Sequence, residues 1–130
     1  MKRILIMFFV SALCSMFSCF QGTYAQQKDI KIFAHRGGMQ EFDENTISAF
    51  EAAYKHGIRG FETDIRRSKD GKLVIFHDAN FKRMIGKDGS IEESTLAEIK
   101  QLRTLKGNPI PTLDEFLAFL KDKDGLYVEF

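Results

Sequence analysis

Arg59-Gly60-Phe61-Glu62-Thr63-Asp64-Ile65-Arg66 reads as a β-strand, and it is a strand that carries chemistry. Successive side chains on a strand point to opposite faces, so Glu62 and Asp64 share one face while Phe61, Thr63 and Ile65 occupy the other. A solvent-facing polar edge would tolerate two neighbouring carboxylates, but Ile58, Gly60 and Phe61 place the pair in a run that looks buried. Like charges in such a place are costly unless a cation sits between them.

Working outward, the turn residues Lys69-Asp70-Gly71-Lys72 lead into a second apolar run, Leu73 to His77. The interval is too short for a helical crossover, so the two strands form either a hairpin or a tight connection that departs from a simple βαβ repeat. Upstream, Ile30 to Ala34 reads as a first strand. Asn45 is placed to cap a helix running to about His56, with Ile47, Phe50, Ala53 and Tyr54 on one face and Gly57 as its stop. Downstream, Thr95 with Glu98 and Thr112 with Glu115 have the spacing of capping boxes, and Pro109 and Pro111 fix an extended lead into the second of these helices. Leu126 to Phe130 reads as a fourth strand. Short strands alternating with amphipathic helices predict a parallel α/β architecture.

Each of the four strands brings an ionisable group to or near its C-terminal end: His35 on the first, Glu62 and Asp64 on the second, His77 on the third and Glu129 on the fourth. Active sites of α/β barrels sit at that end of the strands. A lone histidine there is more often structural than catalytic, but the set together points to one site. Glu62, Asp64 and Glu129 are oxygen donors, which suits Ca²⁺ or Mg²⁺ better than zinc. Two histidines beside such a cation suit general acid and general base work near neutral pH. Arg36, followed by Gly37 and Gly38, has the donor fork needed to grip a phosphate oxygen. His56, in a last helical turn, is explained by the helix C-terminus alone.

Nineteen basic against eighteen acidic residues give a net charge of +1, so no long-range field favours nucleic acid or an anionic membrane surface. The first 25 residues differ from the rest: Lys2 and Arg3 precede an apolar stretch from Ile4 to Phe20, and Thr23-Tyr24-Ala25 offers a cleavage site. Residues 1–25 therefore read as a signal peptide and residues 26–130 as the mature segment, starting at Gln26, exported to a periplasmic or secreted location and without a stable membrane span. Two alternatives are a membrane anchor, for which the apolar stretch is near the lower length limit, and lipidation at Cys19, where Met16-Phe17-Ser18 lacks the usual leucine. Cys14 and Cys19 both lie within the leader, so the mature segment holds together without disulfides.

His35-Arg36-Gly37, Glu44-Asn45-Thr46, Phe61-Glu62-Thr63-Asp64, His77-Asp78, Ile110-Pro111-Thr112-Leu113 and Val128-Glu129-Phe130 resemble, in order and spacing, the motif series of glycerophosphodiester phosphodiesterases. The resemblance covers Ile30 to Phe130. It implies an α/β fold of the TIM-type (β/α)8 barrel kind, here about the first four strands with their helices. It also implies a divalent cation held by Glu62, Asp64 and Glu129, His35 and His77 as the acid/base pair, and Arg36 on the phosphate. The small-molecule substrate would be a glycerophosphodiester, cleaved to sn-glycerol 3-phosphate and an alcohol. Asp43 stands where the family usually has proline, and the family's usual lysine two residues after Glu129 would fall beyond Phe130. A barrel takes roughly 250 residues, so the chain reads as an N-terminal portion, inactive by itself. Rival readings are a related barrel phosphodiesterase acting on phosphoinositide or sphingolipid head groups and a non-catalytic exported binding fragment. Asn45 is accounted for as a helix cap and Glu44 as an acidic group beside a helix N-terminus, so neither is assigned to the site.

Overall fold

Gly60-Phe61-Glu62 forms the middle strand, β2, of a three-stranded parallel sheet in the computed structural model, which describes residues 30–130. The expected signal peptide over residues 1–25, the expected start at Gln26 and the alternative lipidation at Cys19 all fall outside the described residues. β1 (Phe33–Ala34) flanks β2 on one side and β5 (Tyr127–Glu129) on the other, with Phe33 opposite Gly60 and Glu62 opposite Glu129. Gly60 has to be glycine here, because a Cβ would stand 2.4 Å from the carbonyl oxygen of Ile32, the residue just before β1. The first strand is shorter than expected: Ile30 and Ile32 are exposed, and ladder pairing begins at Phe33.

β1 crosses to β2 through α1 (Ile47–Lys55). Thr46, not Asn45, caps this helix, its hydroxyl accepting from the Ala49 N–H at 3.2 Å. Asn45 lies one residue outside in the left-handed region, with φ 56°, a conformation asparagine tolerates better than most residues.

The strand expected over Arg59 to Arg66 breaks in two. β2 stops at Glu62, and the chain then enters β3 (Ile65–Arg67), which pairs antiparallel with β4 (Leu73–Ile75) in a separate two-stranded sheet. The hairpin alternative is thus the one adopted, closed by Ser68, whose N–H donates to the Lys72 carbonyl and whose hydroxyl accepts from the Lys72 N–H. In consequence the parallel sheet of the described residues has three strands rather than four, and His77 follows a hairpin strand.

Beyond the hairpin come α2 (Lys82–Ile85), α3 (Leu96–Ile99) and α4 (Leu113–Leu120). Both expected capping boxes are present, at Thr95 with Glu98 and at Thr112 with Glu115. Among the described residues no helix is long and apolar enough to cross a membrane. The core falls into two clusters. Phe50 and Ala53 of α1, Phe61 of β2, and Phe116 and Phe119 of α4 fill the space over the parallel sheet, with ring centroids of Phe50 and Phe116 4.6 Å apart. Phe76, Phe81, Ile85, Ile91, Ile99 and Ile110 form the second cluster under the excursion from 76 to 110. β4 serves both, because its alternating side chains send Val74 into one cluster and Ile75 into the other.

Candidate active site

His35 is the first residue after β1 and opens a single 3₁₀ turn, His35–Gly37. Gly37 at φ 77° lets the turn lie against α1, where a Cβ would come within 3.0 Å of the Phe50 ring. Arg36, at φ 51°, is a non-glycine residue in the left-handed region. That conformation costs about 1 kcal/mol or more, and it aims the Arg36 N–H at Glu62 Oε2, 2.8 Å away. Strain of this kind is retained where the surroundings over-determine it, as at functional sites. His35 Nε2 stands 3.7 Å from the same Glu62 oxygen, with 57% of its side chain exposed.

The Arg36 side chain turns inward. Nη1 donates to Glu44 Oε1 at 3.2 Å, and the buried Nε, without a hydrogen-bond partner, lies 3.6 Å from Asp64 Oδ2. Asn45 completes the setting of Asp64: its Nδ2 donates to Asp64 Oδ2 at 3.0 Å while its Oδ1 accepts from the Thr63 hydroxyl at 2.8 Å. Its 3% exposure, with these two bonds, corrects the helix-cap reading and makes Asn45 the residue that orients Asp64.

His77 follows β4, and its carbonyl is fixed by Arg66, whose Nε and Nη2 donate at 2.9 and 2.7 Å. The imidazole Nδ1 lies 2.7 Å from Asp78 Oδ1. Asp78 in turn accepts from Arg83 Nε and Nη2 at 2.7 and 2.8 Å. The Arg83 guanidinium is the main cause holding the Asp78 carboxyl down to about 2 from its ordinary 3.8, with His77 contributing and desolvation opposing. An ionised carboxylate only accepts, so Nδ1 carries the proton and Nε2 is left for chemistry. Arg83 also grips Glu44, through Nη1 at 2.8 Å and Nη2 at 2.6 Å. These bonds, chiefly, lower the Glu44 carboxyl despite a side chain only 6% exposed. A continuous chain of hydrogen bonds thus runs from Arg36 through Glu44, Arg83 and Asp78 to His77.

Glu129 ends β5 directly opposite Glu62, and the Thr63 N–H donates to the Glu129 carbonyl at 3.1 Å, so the backbone sets the two carboxylates at one level. Glu62, Asp64 and Glu129 fit a hard divalent cation by donor type, and the hydrogen bonds described engage Glu62 and Asp64 through one oxygen each. The three do not converge, however: among the described residues no three carboxylate or imidazole side chains stand close enough to share an ion. The two histidines border different clefts among the described residues. His77 and Asp64 border one of about 840 Å³ that Arg66, Phe76 and Phe130 also line, whereas His35 borders another of about 530 Å³ with Met39, Phe42 and His56.

Glu44, Asn45, Asp78 and Arg83 all belong to this cluster and were not assigned from sequence. The Glu44-Asn45-Thr46 and His77-Asp78 motifs held a signal for the first three. Arg83, on a short helix in the excursion, carried none.

A family model described as the glycerophosphoryl diester phosphodiesterase family matches residues 35–130. A glycerophosphodiester phosphodiesterase of Caldanaerobacter subterraneus subsp. tengcongensis is 39% identical over 102 residues, spanning 73% of this chain and 42% of that protein. One of Bacillus altitudinis is 41% identical over 105 residues, spanning 75% of this chain and 43% of that one. Among solved structures, a phosphodiesterase of Oleispira antarctica in complex with the product sn-glycerol-3-phosphate superposes with a TM-score of 0.69 at 35% identity, over 76% of this chain and 43% of that one. A glycerophosphodiester phosphodiesterase of Thermotoga maritima gives 0.66 at 37% identity, over 76% and 42%. The chain spans less than half the length of the relatives it matches, and over that span it has their α/β, TIM-type barrel fold. With the family model matching residues 35–130 and the fold shared with these relatives, the chain belongs to the glycerophosphodiester phosphodiesterase family.

Proposed function

We propose that the protein hydrolyses a glycerophosphodiester to sn-glycerol 3-phosphate and an alcohol, with Glu62, Asp64 and Glu129, oxygen donors that are not within sharing distance in this structure, as the residues that would hold a Ca²⁺ or Mg²⁺ ion. The observation that carries this reading is the frame at the strand ends, in which one hydrogen-bonded chain ties Arg36 beside Asp64 to the His77 imidazole. A bound divalent cation supplies Lewis-acid polarisation of a phosphoryl oxygen. The chain's own residues do the rest. One imidazole, of His35 or His77, removes the proton from the nucleophile, either water or the glycerol hydroxyl whose cyclic phosphate water then opens, and the other protonates the leaving alkoxide. With Nδ1 tied to Asp78, His77 takes or gives its proton at Nε2. Arg36 offers positive charge close to where the phosphoryl group gains negative charge, and its backbone N–H holds Glu62 in place.

The reading fixes which P–O bond breaks. Glycerophosphocholine incubated with the protein as its gene encodes it is expected to yield sn-glycerol 3-phosphate and free choline, resolved by phosphorus NMR. Phosphocholine and glycerol as the products would assign the site to the other ester bond and overturn the proposal.

A further inference from the structure

Arg83 stands 39 residues along the chain from Glu44, on a helix too short to be stable alone, yet it is the middle member of the chain that reaches both His77 and Arg36. Four of the five N–H groups of its guanidinium are committed. One edge, Nε and Nη2, takes Asp78; the other, Nη1 and Nη2, takes Glu44. Each carboxylate then presents an oxygen to a residue of the proposed chemistry: Asp78 Oδ1 to His77 Nδ1 at 2.7 Å, and Glu44 Oε1 to Arg36 Nη1 at 3.2 Å.

We propose that Arg83 is a positioning residue which, through Asp78 and Glu44, holds His77 and Arg36 in one rigid frame for the hydrolysis proposed above, on which the kinetic part of this inference rests. A planar fork is required for that task, because a single lysine ammonium is a point charge that cannot grip two carboxylates edge-on. The alternative is that Arg83 merely fastens α2 to the body of the protein. Other groups already do that. Phe81 and Ile85 are buried in the second core cluster, and the Leu105 N–H donates to the Met84 carbonyl at 2.8 Å. The Arg83 side chain is itself 48% exposed, and its buried partner Glu44 would keep the Arg36 guanidinium, at 3.2 Å, if Arg83 were replaced. The neighbouring Lys82 is 70% exposed, pairs with the exposed Asp88 and serves as a matched control.

The test compares Arg83→Met, Arg83→Lys and Lys82→Met in the protein as its gene encodes it. The readouts are kcat and KM on glycerophosphocholine, thermal melting, and nitrogen NMR of the His77 imidazole. Misplacing catalytic groups by an ångström is costly, so Arg83→Met is expected to lower kcat about tenfold or more with KM little changed. The melting temperature should fall but stay above the assay temperature, and the His77 nitrogen signals should move toward a mixture of the two tautomers. Added guanidinium ion at low concentration should restore part of kcat in Arg83→Met. Arg83→Lys should fall between, and Lys82→Met should match wild type in every readout. Wild-type kcat and unmoved His77 signals in Arg83→Met would overturn the proposal, as would a loss of kcat explained wholly by unfolding at the assay temperature. If Arg83→Met does not fold, Arg83→Lys decides: displaced His77 signals with a lowered kcat support the clamp, and unmoved signals overturn it. If wild-type protein shows no turnover, the functional reading fails separately, and the His77 signals alone decide for or against the clamp.

Discussion

Alanine at His35 or at His77 is expected to lower turnover about a hundredfold or more, the amount that general acid and base groups commonly carry. The geometry gives the two residues this weight for different reasons. His77 is held by Asp78, itself kept ionised by Arg83, so the imidazole has one nitrogen fixed as donor and the other available. His35 sits at the strained turn after β1, within reach of Glu62, where a proton taken or given would lie beside the proposed cation site. Neither side chain is part of either core cluster, and 41% of the His77 and 57% of the His35 side chain is exposed. The melting temperature should therefore stay close to wild type in both variants. Steady-state kinetics on the two purified variants checks this, and near wild-type turnover in both would return the histidines to a structural role.

The second large effect concerns the segment by itself. A polypeptide of Gln26 to Phe130 is expected to lack both turnover and a cooperative monomeric melt. In the described residues β1 and β5 each pair on one side only, and these edges expose Ile30, Ile32, Tyr127 and Phe130 at 86, 65, 45 and 64%. Open edges with apolar side chains pair with other chains unless something covers them. Glu129, the third proposed cation ligand, stands on one of those edges, and an exposed edge strand frays. The segment also supplies less than half the length of the relatives it matches, whereas a closed barrel takes roughly 250 residues. Analytical ultracentrifugation, thermal unfolding and a phosphodiesterase assay on this segment decide the matter. A monomer that melts cooperatively and turns over substrate would show that these strands suffice.

The elements legible in the sequence were those fixed locally. Both capping boxes, the turn at Lys69 to Lys72, and the strands around Phe61 and Val128 stand where residue spacing put them, because caps and turns depend on side chains reaching their own backbone within a few positions. What depended on partners elsewhere was not legible. Apolar alternation continues past Glu62, yet the strand breaks there, since Ile65 to Arg67 finds its partner across the hairpin rather than in the parallel sheet. Asn45 has the composition of a cap, but its neighbour Thr46 has it too, and only the position of Asp64 across the fold determines which of them caps the helix. The site residues at the strand ends followed from the strand pattern and the family motifs. Arg83 could not, because its significance lies in two carboxylates brought to it by tertiary structure.

Cation dependence is the most direct consequence of the proposed function, in which the carboxylates of Glu62, Asp64 and Glu129 would hold the ion beside the two histidines. Release of sn-glycerol 3-phosphate from glycerophosphocholine should be measured on one preparation of the protein as its gene encodes it, first with added Mg²⁺ or Ca²⁺, then in excess EDTA, then with the cation restored. Turnover is expected to be abolished by EDTA and to return with the ion, whereas undiminished turnover in EDTA would contradict the proposed cation site.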